Sequence, residues 1–204
     1  MTNTPDLTTS ILALDAMGVL YEAADDVAEL LVPFVRGRVR DVSADVIERA
    51  YIAASLGEID ADQFWRRVGL DPLVEDEYLS GHRLNTGVVN LLAEVASYYD
   101  KVCCLSNDVS RWSLKLRRTF RLEQSITPFV ISADVGARKP SHAIYEELLR
   151  QVDAPAQRIL FVDDRVRNLD TAHALGFRTV LFDPSGTAPQ SDHPRIEQLA
   201  QLRK

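Results

Sequence analysis

The sequence predicts an α/β fold with a doubly wound parallel sheet and a small inserted helical cap domain. Short apolar runs such as Ile11–Leu14 and Ile159–Val162 alternate with stretches in which apolar residues recur at helical spacing. One long stretch, residues 21–85, has helical patterns and no strand signal. Alternating strands and helices form parallel sheets with right-handed crossovers, and a wholly helical stretch between two strands reads as an insertion.

The elements of the core follow in chain order. The apolar runs predict these strands: Ile11–Leu14, Val102–Leu105, Phe129–Ile131, Ile159–Val162 and Thr179–Phe182 as the last. Helical spacing predicts helices over these segments: Val88–Val95, Arg111–Leu122, Ile144–Val152, Leu169–Leu175 and a C-terminal helix near Ile196–Leu202. Residues 1–9 are polar, and we expect them to be frayed.

The segment 21–85 predicts four helices. Apolar spacing favours a first helix near Val27–Phe34 that Pro33 ends or kinks. Ser43 and Asp60 are the expected N-caps of the second and third helices, and Glu75–Leu84 is the expected fourth. We therefore divide the chain into a core of residues 1–20 and 86–204 and a cap of residues 21–85.

Composition limits the function classes. The chain has 204 residues, a net charge of -7 and a pI of about 5.1, which argues against nucleic-acid binding. Without an apolar run long enough to span a membrane or a recognisable signal peptide, we expect a cytoplasmic location. Cys103 and Cys104 alternate within a strand, so we expect two reduced core residues on opposite faces. Nothing in the sequence fixes the oligomeric state.

Polar residues follow four predicted strands and should meet at one edge of the sheet. Asp15, Ser106, Lys139 and the pair Asp163 and Asp164 all stand at such positions. Three neighbouring carboxylates repel one another unless a cation lies between them, and Mg²⁺ prefers oxygen ligands of this kind. A carboxylate that keeps a free oxygen can attack phosphorus, with Lys139 and the Ser106 hydroxyl stabilising the charge. The pattern indicates a Mg²⁺-dependent hydrolase of a small phosphorylated substrate.

Four ordered motifs carry a family resemblance. They are these: Asp15-Ala-Met-Gly-Val-Leu, Leu105-Ser106-Asn107, Gly136-Ala-Arg-Lys139-Pro140 and Phe161-Val-Asp163-Asp164-Arg165. Together they resemble the haloacid dehalogenase superfamily. The last two motifs are most similar to those of small sugar-phosphate phosphatases and of the phosphatase domain of soluble epoxide hydrolase. The resemblance implies a Rossmann-like core, Asp15 as nucleophile, and catalytic roles for Ser106 and Lys139.

The same resemblance supplies the remaining ligand roles. It implies substrate contacts from Asn107, Gly18 and Arg138. It also implies a metal site formed by Asp15, Asp164 and the Met17 carbonyl, with Asp163 acting nearby or through water.

Met17 departs from the family pattern. Phosphatases of this superfamily carry a second Asp at that position, which protonates the leaving oxygen and later activates water. A thioether cannot do this, and acid–base catalysis is typically worth about 10²- to 10⁴-fold in rate. Glu22 is one candidate to replace it. We therefore expect a phosphatase that prefers activated phosphates, for which Met17→Asp would raise alkyl-phosphate turnover.

Two alternatives stay open. One is a catalytically impaired protein that binds a phosphorylated ligand or regulates a partner. The other is a metal-independent hydrolase of carbon–halogen bonds, although such enzymes usually carry Tyr at the position of Met17. A group of arginines in the cap, Arg36, Arg38 and Arg40, is either a solvated face or a contact for an anionic substrate.

Overall fold

A computed structural model describes residues 10–202, and the expected fraying of residues 1–9 lies outside them. The strands are β1 Ile11–Leu14, β2 Lys101–Ser106, β3 Phe129–Ile131, β4 Ile159–Asp163, β5 Arg178–Phe182 and β6 Arg195–Ile196. The α-helices are α1 Val32–Arg36, α2 Ala44–Ser55, α3 Ala61–Arg67, α4 Glu75–Leu79, α5 Val88–Glu94, α6 Ser110–Thr119, α7 Ser132–Val135, α8 His142–Val152 and α9 Val166–Ala174.

The strands form one parallel sheet in the order β3-β2-β1-β4-β5-β6. The order reverses direction at β1, which pairs with β2 on one side and with β4 on the other. This is the doubly wound α/β fold that the alternation predicts. A reversal of strand order is the place where such sheets leave a crevice at their carboxyl edge.

Both faces of the sheet are covered, as a parallel sheet requires. Leu12 and Leu14 of β1 face one hydrophobic cluster, and Ile11 and Ala13 face the other. The two cysteines divide in the same way, with Cys104 in the first cluster and Cys103 in the second. Both thiols are buried and free, and burial raises the pKa of each, so they are core residues as the alternation predicts.

The segment 21–85 is helical, and its two connections to the sheet lie side by side. Tyr21 forms an antiparallel bridge with Leu84, and the Asn85 amide donates to the Leu20 carbonyl at 2.8 Å. The helix caps follow the prediction. The Ser43 hydroxyl accepts from the amide of Val46, and Asp60 forms a capping box with Gln63.

Several elements differ from the prediction. The first helix does not end at Pro33. A π-helical turn, Val27–Leu31, runs directly into α1, and Pro33 lies in the first turn of that helix. The predicted fourth helix stops at Leu79, and the short α7 follows β3 directly.

The C-terminal region also differs. The strand that ends at Phe182 is not the last one, because Arg195 and Ile196 form a further short strand, β6. The chain then makes a 3₁₀ turn, Leu199–Leu202, where a C-terminal helix was expected. Two paired residues are too few to produce a period, so the pattern could not show this strand. Among residues 10–202, every helix is too short or too polar to cross a bilayer.

Candidate active site

The loop after β1 places Asp15 at the carboxyl edge of the sheet. The Asp15 amide donates to the Val162 carbonyl at 2.9 Å, which continues the pairing of β1 with β4 by one residue. The turn that follows passes through Gly18, whose φ is +79°. A Cβ at Gly18 would lie 2.6 Å from an oxygen of Asp164, so only glycine allows this close approach.

Lys139 joins two of the predicted carboxylates. Its Nζ lies 2.7 Å from Asp15 Oδ1 and 2.8 Å from Asp163 Oδ2. The three side chains come from three separate segments, and all are buried. Convergence of Asp15, Lys139 and Asp163 at one edge is what the strand order predicts.

Asp15, Asp163 and Asp164 form a compact acidic cluster. One oxygen of each lies within 4.8 Å of the others. With a single ammonium among them, the cluster carries excess negative charge when all three are ionised. Burial, and then the charges of Asp163 and Asp164, raise the pKa of Asp15 against the lowering effect of Lys139. Burial and Asp163 raise the pKa of Asp164 to about 7. The arrangement favours an additional cation.

Asp163 and Asp164 occupy different environments. Asp163 is fully buried. Its Oδ1 accepts a hydrogen bond from the Arg165 amide, and both of its carboxylate oxygens accept from the Asn168 side chain. Lys139 completes this set. Oδ1 of Asp164 is buried and has no hydrogen-bond partner within residues 10–202. The chemistry of the donor set therefore fits a hard divalent cation, with Asp164 free to bind it and Asp163 already engaged.

Ser106 and Asn107 follow β2 next to this cluster. The Ser106 hydroxyl is buried and has no hydrogen-bond partner in the described chain. The Asn107 side chain is tied to the backbone of Lys139: its Oδ1 accepts from the Lys139 amide at 2.7 Å, and its Nδ2 donates to the Lys139 carbonyl at 3.0 Å. Asn107 thus fixes the lysine loop, with its second amide hydrogen left for another acceptor.

A cavity of about 560 Å³ lies over this edge. Its lining includes five of the predicted site residues, which are Asp15, Met17, Asn107, Arg138 and Lys139. The other predicted site residues, Gly18, Ser106, Asp163 and Asp164, lie outside the lining. None of Arg36, Arg38 and Arg40 lines the cavity, and Arg38 pairs with Glu77 at 2.6 Å instead.

The segment 21–85 forms much of the cavity wall. Its apolar contribution consists of small and branched side chains, which are Ala24, Val27, Ala28, Val32, Ala44 and Ile52. The rest of the chain contributes four cations, which are Arg138, Lys139, Arg165 and Arg167. Tyr51 links the two parts, since its hydroxyl donates to the Asn107 carbonyl at 3.0 Å. The segment 21–85 also contributes the carboxylates Asp25, Asp26 and Glu48, so the lining combines apolar, acidic and basic side chains.

Glu22 is one candidate from the sequence to stand in for the second Asp that Met17 replaces. The side chain of Glu22 is exposed and does not line the cavity. Asp26, four residues later, does line the cavity and is 5% exposed. Sequence reasoning missed Asp26 because an Asp before a helix reads as an N-cap, yet this side chain makes no capping hydrogen bond.

Comparison with known proteins agrees with these observations. The family model described as "haloacid dehalogenase-like hydrolase" matches residues 6–176. Over 128 residues, the chain is 28% identical to the sesquiterpene phosphatase astK of Aspergillus oryzae, covering 59% of this chain and 65% of that protein. Over 61 residues, it is 33% identical to the enolase-phosphatase E1 of Zygosaccharomyces rouxii, covering 29% of this chain and 27% of that protein.

A shorter match joins the chain to a larger protein. A segment of 51 residues is 41% identical to the drimenol cyclase drtB of Aspergillus calidoustus, covering 25% of this chain and 10% of that protein. The chain therefore spans less than two thirds of each of these relatives.

Solved structures agree on the fold. A haloacid dehalogenase family enzyme of Bacteroides thetaiotaomicron superposes with a TM-score of 0.72 at 18% identity, over 88% of this chain and 96% of that one. A 2-haloacid dehalogenase of Pseudomonas syringae superposes with a TM-score of 0.70 at 19% identity, over 96% of each chain. At these identities the likeness concerns the fold alone. The family match over residues 6–176 decides the assignment: the chain belongs to the haloacid dehalogenase-like hydrolases.

Proposed function

We propose that this hydrolase is a Mg²⁺-dependent phosphatase that cleaves phosphomonoesters through an aspartyl-phosphate on Asp15. The observation that carries the proposal is the acidic cluster around Lys139, with the unpartnered oxygen of Asp164 beside it. The repulsion within such a cluster favours the binding of a further cation. The Bacteroides enzyme named above has also been solved in complex with magnesium and inorganic phosphate.

The residues of the chain divide the work as follows. Asp15 attacks phosphorus, and its carboxylate is held in place by Lys139. Lys139 and the free hydroxyl of Ser106 stabilise the charge that develops on the transferred phosphoryl group. Asp15, Asp164 and the Met17 carbonyl would hold Mg²⁺, which neutralises phosphate charge and aids orientation when bound. Asp163 positions Lys139 rather than binding the metal directly.

The cavity supports an amphiphilic substrate. Its cations suit the phosphate, and its apolar side chains suit an organic group with little polarity. The segment 21–85 supplies those apolar side chains, so it acts as a cap that selects the organic group. We therefore place an isoprenoid monophosphate ahead of a sugar phosphate, in keeping with the sesquiterpene phosphatase named above.

The test is phosphate release with and without Mg²⁺ by the wild type and by Asp15→Asn. We expect turnover by the wild type only with Mg²⁺, and none by Asp15→Asn, because an amide is a poor nucleophile. A lower KM for an isoprenoid monophosphate than for a sugar phosphate would support the substrate class. Full activity in a chelator, or in Asp15→Asn, would contradict the mechanism.

Met17 favours one second candidate, a phospho-ligand binder without turnover. In that case the wild type would bind inorganic phosphate in the presence of Mg²⁺ but would release none from any ester. Calorimetry with phosphate and Mg²⁺, run beside the turnover assay, separates the two functions.

A further inference from the structure

We infer that Asp26 is the acid–base catalyst of this site and supplies from the cap the proton that Met17 cannot. The inference rests on the proposed phosphatase function and names a residue that the motifs do not contain. In this role Asp26 touches the leaving oxygen of the substrate and then the attacking water.

The position of Asp26 is the first support. It stands just before the π-helical turn Val27–Leu31 and lines the cavity together with Asp15 and Met17. Asp26 is 5% exposed, and its Oδ2 has no hydrogen-bond partner among the residues that the structure describes. A buried carboxyl oxygen without a partner is costly, and functional sites are where such groups are retained. A hydrogen bond fixes the backbone two residues before Asp26, since Arg165 Nη2 donates to the Ala24 carbonyl at 2.9 Å.

The charges around Asp26 keep it available as an acid. Burial raises its pKa to about 6, and the charge of Asp25 acts in the same direction. Arg165, the Val27 amide and Arg138 lower it by smaller amounts. The other titratable groups that it influences electrostatically are buried, and they are Tyr51, Tyr78 and Asp108. A carboxyl that titrates this close to neutrality can both give and take a proton.

The chemical step is balanced with Asp26 alone. An oxygen of Asp15 forms a bond to phosphorus while the bond from phosphorus to the ester oxygen breaks. That oxygen takes the electron pair of the broken bond and the proton of Asp26, and it leaves as an alcohol. The Asp26 carboxylate then removes a proton from water, whose oxygen attacks phosphorus. The bond to Asp15 breaks, phosphate leaves, and Asp26 is protonated again.

The experiment compares leaving groups. We expect Asp26→Asn to lower kcat/KM for an alkyl phosphate by about 10²- to 10⁴-fold. For p-nitrophenyl phosphate we expect less than about tenfold, because its leaving group needs no proton. The variant should also release a burst of p-nitrophenol, since the water in the second step has lost its base. A residue that is only structural would change both substrates alike. Glu22→Gln is the matched control, because this exposed carboxylate lies on the same loop outside the cavity.

The pH profile of the wild type needs no substitution. A general acid works when protonated, so kcat/KM for the alkyl phosphate should fall as the pH rises through about 6. The phosphate group ionises in both substrates and changes kcat/KM for both. Only a fall in kcat/KM that is larger for the alkyl phosphate than for p-nitrophenyl phosphate reports the general acid. Equal leaving-group dependence in the wild type and Asp26→Asn would overturn the inference while leaving the phosphatase intact. Loss of alkyl-phosphate turnover in Glu22→Gln would assign the role to Glu22. A wild type inactive on both substrates would overturn the phosphatase proposal and this inference with it.

Discussion

The ionised carboxylate of Asp26 should lower the free energy of unfolding at neutral pH. Replacing Asp26 measures the size of this effect. Burial raises its pKa from 3.8 to about 6, so the folded protein binds this proton more tightly than the unfolded chain does. The stability that goes with the protonated form of Asp26 is therefore fully present below the pKa of the unfolded chain. It is lost as the pH rises through the pKa of the folded protein. A difference of about two in pKa corresponds to about 3 kcal/mol.

Asp26→Asn removes this charge at every pH. At about pH 7.5 the variant should be more stable than the wild type by up to about 3 kcal/mol, and at about pH 5 by roughly half of that. The amide keeps the size of the carboxyl, so packing changes little. Urea unfolding of both proteins at the two pH values measures the difference. A variant that is no more stable at pH 7.5, or whose advantage does not shrink on acidification, would refute a buried carboxylate of this kind.

Two further substitutions test the site and its attachment. Gly18→Ala should weaken Mg²⁺ binding about 10- to 100-fold, because its Cβ would meet Asp164 at 2.6 Å. Calorimetry compares it with Gly186→Ala, where φ is +68° but no atom of the described residues lies within 4 Å of the added Cβ. An equal loss in both variants would point to backbone strain rather than contact. Glu75→Ala should lower the free energy of unfolding by roughly 2–5 kcal/mol, since it leaves buried indole N–H donors unpaired. Urea unfolding compares it with Glu77→Ala at an exposed ion pair, for which we expect a loss of less than about 1 kcal/mol in the free energy of unfolding. Similar losses in the two variants would contradict the buried role of Glu75.

The core of the fold could be predicted from the sequence because its signals are local. Buried strands such as β1 and β4 are apolar runs ended by a carboxylate, and the parallel order brings their ends together. The helix caps Ser43 and Asp60 were correct for the same reason, since an N-cap acts within one turn. The strand β6 was missed because Arg195 and Ile196 pair with β5 only through tertiary contact.

The site could be predicted only in part. The motif residues Asp15, Lys139 and Asp163 meet as expected because three segments end at one edge. Asp26 could not be found in this way, because its place at the cavity depends on how the segment 21–85 packs against the rest of the chain. One such contact is Glu75 of α4, which is 2% exposed and accepts hydrogen bonds from Arg111 and Trp112 of α6. No periodicity in the sequence reveals a contact between residues so far apart in the chain.

The π-helical turn Val27–Leu31 lies between Asp26 and α1. The direction of the Asp26 side chain therefore depends on how many residues this turn contains. A π turn holds about one residue more than an α turn, and such turns recur at functional sites. Shortening it by one residue would leave α1 in place and rotate the preceding chain by roughly 100° about the helix axis. Asp26 would then point away from the cavity although every motif residue was unchanged. The length of one helical turn is therefore a route by which relatives of this chain could gain or lose this carboxylate.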